Sequence, residues 1–307
     1  MTRLLGWIAV FISWFSWAAA QDLPPREVSL DEVLEIFGQM DMPAALNQDR
    51  VSLGRQLFHD PRLSSNDQVS CASCHIISDG GDDNRQFSIG VSGKPTTRNS
   101  PSVFNLENHV AYFWDGRSVS LEDQIDGPIH NPDEMNTDWI SIIRKLNKDK
   151  AFSASFRKEY ETINTDAIKD AIAVFEKSLV TNDSPFDRFM TGDKMALGEK
   201  AKRGLSRFID YGCASCHQGP ALGGNVFQRF GIYEDDVDDR PLLKVPSLRN
   251  VEVTAPYFHD GREAELSNAV RTMARVQLGR EINDVELEEI LDFLHSLTSA
   301  RFSVVEE

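Results

Sequence analysis

The sequence predicts a mostly helical protein made of two tandem units that arose by internal duplication. Three observations carry this. The pentapeptide Cys-Ala-Ser-Cys-His occurs twice, at Cys71 to His75 and at Cys213 to His217, 142 residues apart. A longer pattern follows each copy. After the first come Pro101-Ser102-Val103-Phe104-Asn105 and Tyr112-Phe113-Trp114-Asp115-Gly116-Arg117; after the second come Pro246-Ser247-Leu248-Arg249-Asn250 and Tyr257-Phe258-His259-Asp260-Gly261-Arg262. Elsewhere apolar residues recur at helical spacing, and no stretch shows the sustained alternation of a strand.

The pentapeptide is the attachment signature for c-type haem. Two thiols three positions apart can each form a thioether to a haem vinyl group, and the next residue, His, becomes the proximal iron ligand. The competing readings are a thioredoxin-type redox pair and half a zinc site. Neither requires a His directly after the second Cys, and neither accounts for two copies that use all four cysteines of the chain. Two covalently bound haems are therefore expected, on Cys71, Cys74 and His75 and on Cys213, Cys216 and His217. No cysteine remains for a disulfide.

At the N-terminus, Arg3 precedes an apolar stretch, Leu4 to Trp17, and Ala18-Ala19-Ala20 offers a cleavage site before Gln21. This pattern predicts a signal peptide over residues 1–20; the alternative, an uncleaved anchor, needs a longer apolar run. The whole chain carries a net charge of −16, and loss of Arg3 with the leader leaves 31 basic against 48 acidic residues. That balance argues against a nucleic-acid partner. It suits steering of a positively charged protein, as well as plain solubility.

Along the chain, residues 21–48 read as a leader with a short helix from Leu30 to Phe37, expected to pack on the first unit. Leu53, Leu57 and Phe58 share a helical face that ends at Asp60-Pro61, and the adjacent His59 is assigned to packing. The segment from Ser78 to Gly93 reads as ordered loop. Trp139, Ile142, Ile143 and Leu146 mark one helix, and Ile168, Ala171, Ile172, Phe175 and Leu179 mark another with Thr165 as its N-cap. Turn residues at Thr181 to Pro185 set the boundary between an N-terminal domain, 21–184, and a C-terminal domain, 185–307. The acidic run from Glu234 to Asp239 reads as solvated loop. A last helix begins at Asp284, with Asn283 and Glu286 as a capping box and Val285, Ile290, Leu291, Leu294 and Leu297 facing inward.

Two such motifs in this order, with Trp-Asp-Gly-Arg after the first and Tyr-Phe-His-Asp-Gly after the second, resemble the bacterial dihaem cytochrome c peroxidases from about Val51 to Leu297. The resemblance implies two tandem cytochrome c-like haem domains. In that family the N-terminal haem reduces hydrogen peroxide to water. The C-terminal haem relays electrons from a small donor, a cytochrome c or a cupredoxin, in the periplasm, and homodimers are common. By resemblance, His75 is the proximal ligand of the peroxidatic haem, and His217 and Met273 are the axial ligands of the electron-transfer haem. Glu134 is the acid–base residue, with Gln124 beside it. A carboxylate there can move a proton between the two peroxide oxygens, and Gln124 can hold peroxide by hydrogen bonds. Trp114 matches the residue between the haems; Asn99, Thr254 and Pro256 match ligands of a calcium ion. The plain structural readings are a core Met273, an exposed turn acid at Glu134 and a packing role for Trp114.

One departure stands out. Family members that need reductive activation carry a His in the loop after the first haem, and Val91 occupies that place here. Val cannot ligate iron, so the site is expected to be open without pre-reduction. An open site also resembles the related dihaem enzymes that oxidise residues of a partner protein, although those that mature a quinone carry Tyr where this chain has Met273. A non-enzymatic dihaem electron carrier is the third reading.

Overall fold

The computed structural model describes residues 25–40, 44–234 and 240–302. The expected signal peptide and all of the acidic run except Glu234 lie outside the described residues. The chain is mostly helical. Its helices are α1 (Leu30–Phe37), α2 (Gln48–Phe58), α3 (Leu121–Gln124), α4 (Asp126–His130), α5 (Trp139–Lys148), α6 (Lys150–Glu159), α7 (Thr165–Lys177), α8 (Pro185–Met190), α9 (Glu199–Asp210), α10 (Leu266–Leu278) and α11 (Asp284–His295). A two-stranded antiparallel ribbon, β1 (Phe227–Arg229) and β2 (Leu242–Lys244), pairs Phe227 with Lys244. Among the described residues no helix is long and apolar enough to cross a membrane.

Two apolar clusters form the interior. One gathers Leu57, Phe58 and Leu63 with Ile125, Ile129, Ile142, Phe156, Ile172 and Phe175. The other gathers Phe186, Leu205, Phe208, Leu222, Ile290, Phe293 and Leu297. Membership changes between Leu179 and Phe186. Each cluster is centred on a closely packed helix pair, α2 with α7 and α9 with α11. Glycine permits both approaches: a methyl group at Gly54 would run into the Ala171 carbonyl oxygen, and one at Gly204 into that of Glu289.

The leader packs not on the first unit, where its place in the sequence puts it, but on the second: α1 inserts Val33 and Phe37 into the second cluster against Phe186. Arg26 completes the attachment with a 2.8 Å ion pair to Asp210 at the end of α9. The amphipathic stripe defines the buried face of α1; the partner is set by tertiary contacts. Two smaller corrections concern helix ends. The N-cap of α7 is Asn164, whose side chain accepts from the Ala167 N–H, so Thr165 is the first helical residue. Val285, expected inside, is exposed, and Leu287 and Phe293 fill the inner face of α11 instead. The capping box of Asn283 and Glu286 forms as expected.

The residues at 181–185 are not a loose turn. Thr181 is buried and bonded to both halves: Asn105 Nδ2 donates to its Oγ1 at 2.8 Å, and Asn250 Nδ2 donates to the same oxygen at 3.0 Å. Both asparagines sit in the left-handed region, with φ of 61° and 60°, which Asn tolerates better than most residues.

Candidate active site

The two Cys-x-x-Cys-His segments fold alike. Each begins as a single 3-10 turn, Cys71–Ser73 or Cys213–Ser215. The His N–H then donates to the first Cys carbonyl at 3.0 Å in both. The imidazoles are oriented by carbonyls: His75 Nδ1 lies 3.1 Å from the Gly81 oxygen and His217 Nδ1 lies 3.2 Å from the Leu222 oxygen. Donation from Nδ1–H leaves the lone pair on Nε2, the form that ligates a metal. Burial pushes both rings below the ordinary histidine range, His217 to about 4, so both are neutral at physiological pH, the form a metal ligand needs. A phenylalanine backs each ring, Phe58 at 6.5 Å from His75 and Phe208 at 6.3 Å from His217. Seryl hydroxyls brace both loops, Ser102 on Gly80 and Ser247 on Ala221, each at 2.6 Å.

This donor set fits covalent haem: four thiols outside any disulfide, each pair on one turn with a neutral, oriented His. Among the described residues no three His, Cys, Asp or Glu side chains converge as a metal site. Met273 lies on α10, whose Ala269 and Ala274 belong to the same cluster as Phe208 and Leu222.

Glu134 sits in the turn after α4. Asn131 Nδ2 donates to its Oε1 at 2.6 Å, and its own carbonyl accepts from the Val91 N–H at 2.8 Å. Gly90 allows this approach, because a methyl group there would collide with the Asp133 and Glu134 carbonyl oxygens. The loop carrying Val91 and the turn carrying Glu134 are therefore in direct contact. Burial raises the Glu134 carboxyl above its usual range, against the Asn131 hydrogen bond and the nearby Arg117 guanidinium. Arg117 is stacked 3.4 Å over the Phe113 ring. Phe113 in turn closes on Gly127 of α4, which leaves no room for a side chain there. Gln124 ends α3, just before α4.

Trp114 lies at the seam of the two halves. Its Nε1 donates to the Asn99 carbonyl at 2.8 Å, its carbonyl accepts from the Lys244 N–H, and its ring meets His259 edge-on at 6.3 Å. The Asn99 N–H donates to the His259 carbonyl, so Asn99 is fixed between the first unit and the turn that follows Pro256. Sequence reasoning missed Asp82. This residue is buried, its Oδ1 has no hydrogen-bond partner, and burial raises its carboxyl to about 7. A methyl group on neighbouring Gly80 would meet Asp82 Oδ1 at 3.1 Å, Thr254 Cγ2 at 3.2 Å and the Val253 carbonyl oxygen at 2.5 Å. An orphaned carboxylate oxygen beside the Thr254 turn fits a cation at this seam. No sequence motif marks it, because its isolation depends on tertiary burial.

His109 and His130, the other histidines near the first unit, are both engaged. His130 is exposed, with Nδ1 at 2.9 Å from the Asp126 carbonyl oxygen. His109 Nδ1 lies 3.1 Å from Lys244 Nζ. His59, assigned to packing, has its Nδ1 on the Arg55 carbonyl oxygen and its ring against Phe58 and Phe175.

A helical chain with two haem-attachment turns defines a dihaem c-type protein, and similarity narrows the class. Residues 48–195 match the family model described as di-haem cytochrome c peroxidase. The chain is 42% identical to the cytochrome c551 peroxidase of Nitrosomonas europaea, over 82% of this chain and 80% of that protein. It is 39% identical to the cytochrome c peroxidase Ccp of Escherichia coli, over 94% of this chain but only 66% of that longer protein. A solved MauG-like protein associated with microbial copper homeostasis superposes with a TM-score of 0.74 at 26% identity, over 94% of this chain and 99% of that one. The chain belongs to the di-haem cytochrome c peroxidase family.

Proposed function

We propose that this protein reduces hydrogen peroxide to water with electrons from a small donor protein, a cytochrome c or a cupredoxin, in the periplasm. The observation that carries the reading is Glu134: a carboxyl raised by burial, held by Asn131 and pressed against the loop that follows the first haem motif. When bound, the haem on Cys71 and Cys74 supplies the site of peroxide reduction, and the haem on Cys213 and Cys216 supplies the entry port for electrons. His75 and His217 would each hold a haem iron, and Met273 would be a further ligand in the C-terminal domain. The overall reaction takes two electrons and two protons with each peroxide and yields two waters. Glu134 accepts a proton from one peroxide oxygen and returns it to the other, and Gln124 orients the substrate. Trp114 lies on the electron route across the seam.

The repeated geometry supports two tandem cytochrome c-like domains from an internal duplication, 21–184 and 185–307, behind a signal peptide at 1–20. The net negative charge suits a basic donor. A homodimer is part of the same family reading. A calcium ion is assigned to Asn99, Thr254 and Pro256, with Asp82 as the nearby acidic group. Metal analysis after dialysis against a chelator tests this: one calcium per chain before dialysis is expected, and Asp82→Asn is expected to weaken its retention. A chain that never carries calcium contradicts the assignment.

The decisive assay follows consumption of reduced donor with peroxide by the two-haem protein. Glu134→Gln is expected to lower kcat by ~100-fold or more with haem content unchanged, as loss of an acid–base group does. Unchanged turnover would sink the proposal. A second reading, oxidation of residues in a partner protein, is favoured by Val91 and by the likeness to a MauG-like structure. It predicts that a protein residue is altered while no donor is consumed.

A further inference from the structure

A half-buried pair of nitrogen bases lies at the seam, outside the machinery assigned above. His109 closes the turn at Leu106–Asn108, and the next residue, Val110, donates its N–H to the Gly224 carbonyl at 3.0 Å. The His109 ring rests directly on Gly224, where a methyl group would collide with it. From the other half comes Lys244, the last residue of β2, whose Nζ lies 3.1 Å from His109 Nδ1. Both residues adjoin the proximal loop of the second haem motif. Gly224 is two residues beyond Leu222, and Lys244 is two residues before Pro246. The Leu222 carbonyl oxygen lies 3.2 Å from His217 Nδ1, and the Pro246 carbonyl packs against Gly223.

The protonation pattern follows from the contacts. Burial, helped by the Lys244 charge, lowers His109 to about 3, so its ring is neutral. Burial lowers Lys244 to about 8, which leaves an ammonium at neutral pH. An ammonium can only donate to Nδ1, so the single ring proton sits on Nε2. That Nε2 is shielded from solvent and has no hydrogen-bond partner. Among the described residues Lys244 forms no ion pair with a carboxylate. A shielded N–H thus lacks an acceptor, which native interiors rarely leave unmet, and the half-buried ammonium beside it lacks a carboxylate partner.

We propose that a propionate carboxylate of the haem attached at Cys213 and Cys216 supplies both: His109 Nε2–H donates to it, and Lys244, behind the ring, fixes the tautomer and balances the charge. This rests on the haem reading of that motif. It makes His109 a haem contact donated by the N-terminal half to the C-terminal haem. Lys244 is a positioning residue that acts through His109.

The test uses the two-haem protein, with haem content per chain checked as the pyridine haemochrome, poised so that only the C-terminal haem is reduced. Resonance Raman spectroscopy then reads the propionate bending band of that haem, and spectroelectrochemistry reads its potential. His109→Phe is expected to shift the band. His109→Gln, which keeps a donor of similar reach, is expected to restore it. Lys244→Gln keeps a donor to Nδ1 but removes the charge, so the potential of the C-terminal haem is expected to fall while that of the N-terminal haem stays. Wild-type values of band and potential in both His109→Phe and Lys244→Gln would overturn the proposal, as would changes confined to the N-terminal haem. A wild-type chain with no haem on Cys213 and Cys216 would instead refute the underlying reading.

Discussion

Glu134 is pulled in two directions. Burial favours its neutral form, while Asn131 and Arg117 favour the carboxylate, and burial prevails. A base must be ionised to accept the peroxide proton, so the rate should fall on the acid side at a pH above the usual carboxylate range. The Asn131 hydrogen bond lowers that point. Asn131→Ala is therefore expected to move the acid limb of kcat/KM to higher pH, and a pH–rate profile checks this. An unmoved limb would mean that another group controls it. At this scale the sequence singled out the Cys-x-x-Cys-His residues and Glu134, and the structure orients both histidines by carbonyls and holds Glu134 by Asn131. Asp82 and the His109–Lys244 pair were not legible. Nothing local distinguishes them from solvated residues, and their missing partners become visible only when residues from both halves meet.

The elements repeat one construction. Gly54 on α2 and Gly204 on α9 each lie against a carbonyl oxygen of a facing helix, and Phe58 and Phe208, four residues on, each back the His of a Cys-x-x-Cys-His segment. The same helices carry Phe–Phe contacts of 5.2 Å, Phe58 with Phe175 and Phe208 with Phe293. Gly204→Ala is expected to force α9 and α11 apart and to cost ~1–3 kcal/mol or more. It should also loosen the hold of Phe208 on His217. Denaturant unfolding of the haem-loaded protein reads the first effect, and an unchanged midpoint would contradict it. The amphipathic helices and the capping box of α11 were readable because periodicity and capping act locally. The packing partner of α1 was not, since a stripe reports that a face is buried but not against what. The ribbon β1–β2 was also missed, because three-residue strands are too short to show alternation.

At the scale of the molecule, the two halves are joined through buried polar contacts. Thr181 binds Asn105 and Asn250, Trp114 meets His259, and Asn99 ties both to the loop after the first haem motif. The repeated motifs pointed to two units, and two apolar clusters form, but the seam depends on residues that differ between the two motifs, such as Trp114 opposite His259. The central claim is that the N-terminal site is open, with Val91 in place of a ligand and Glu134 poised beside it. Electron paramagnetic resonance of the fully oxidised, haem-loaded protein, before and after stoichiometric peroxide, tests this most directly. The account predicts a high-spin ferric signal beside a low-spin one, with the high-spin signal consumed by peroxide. Two low-spin signals indifferent to peroxide would mean that another residue caps the iron, and would contradict it.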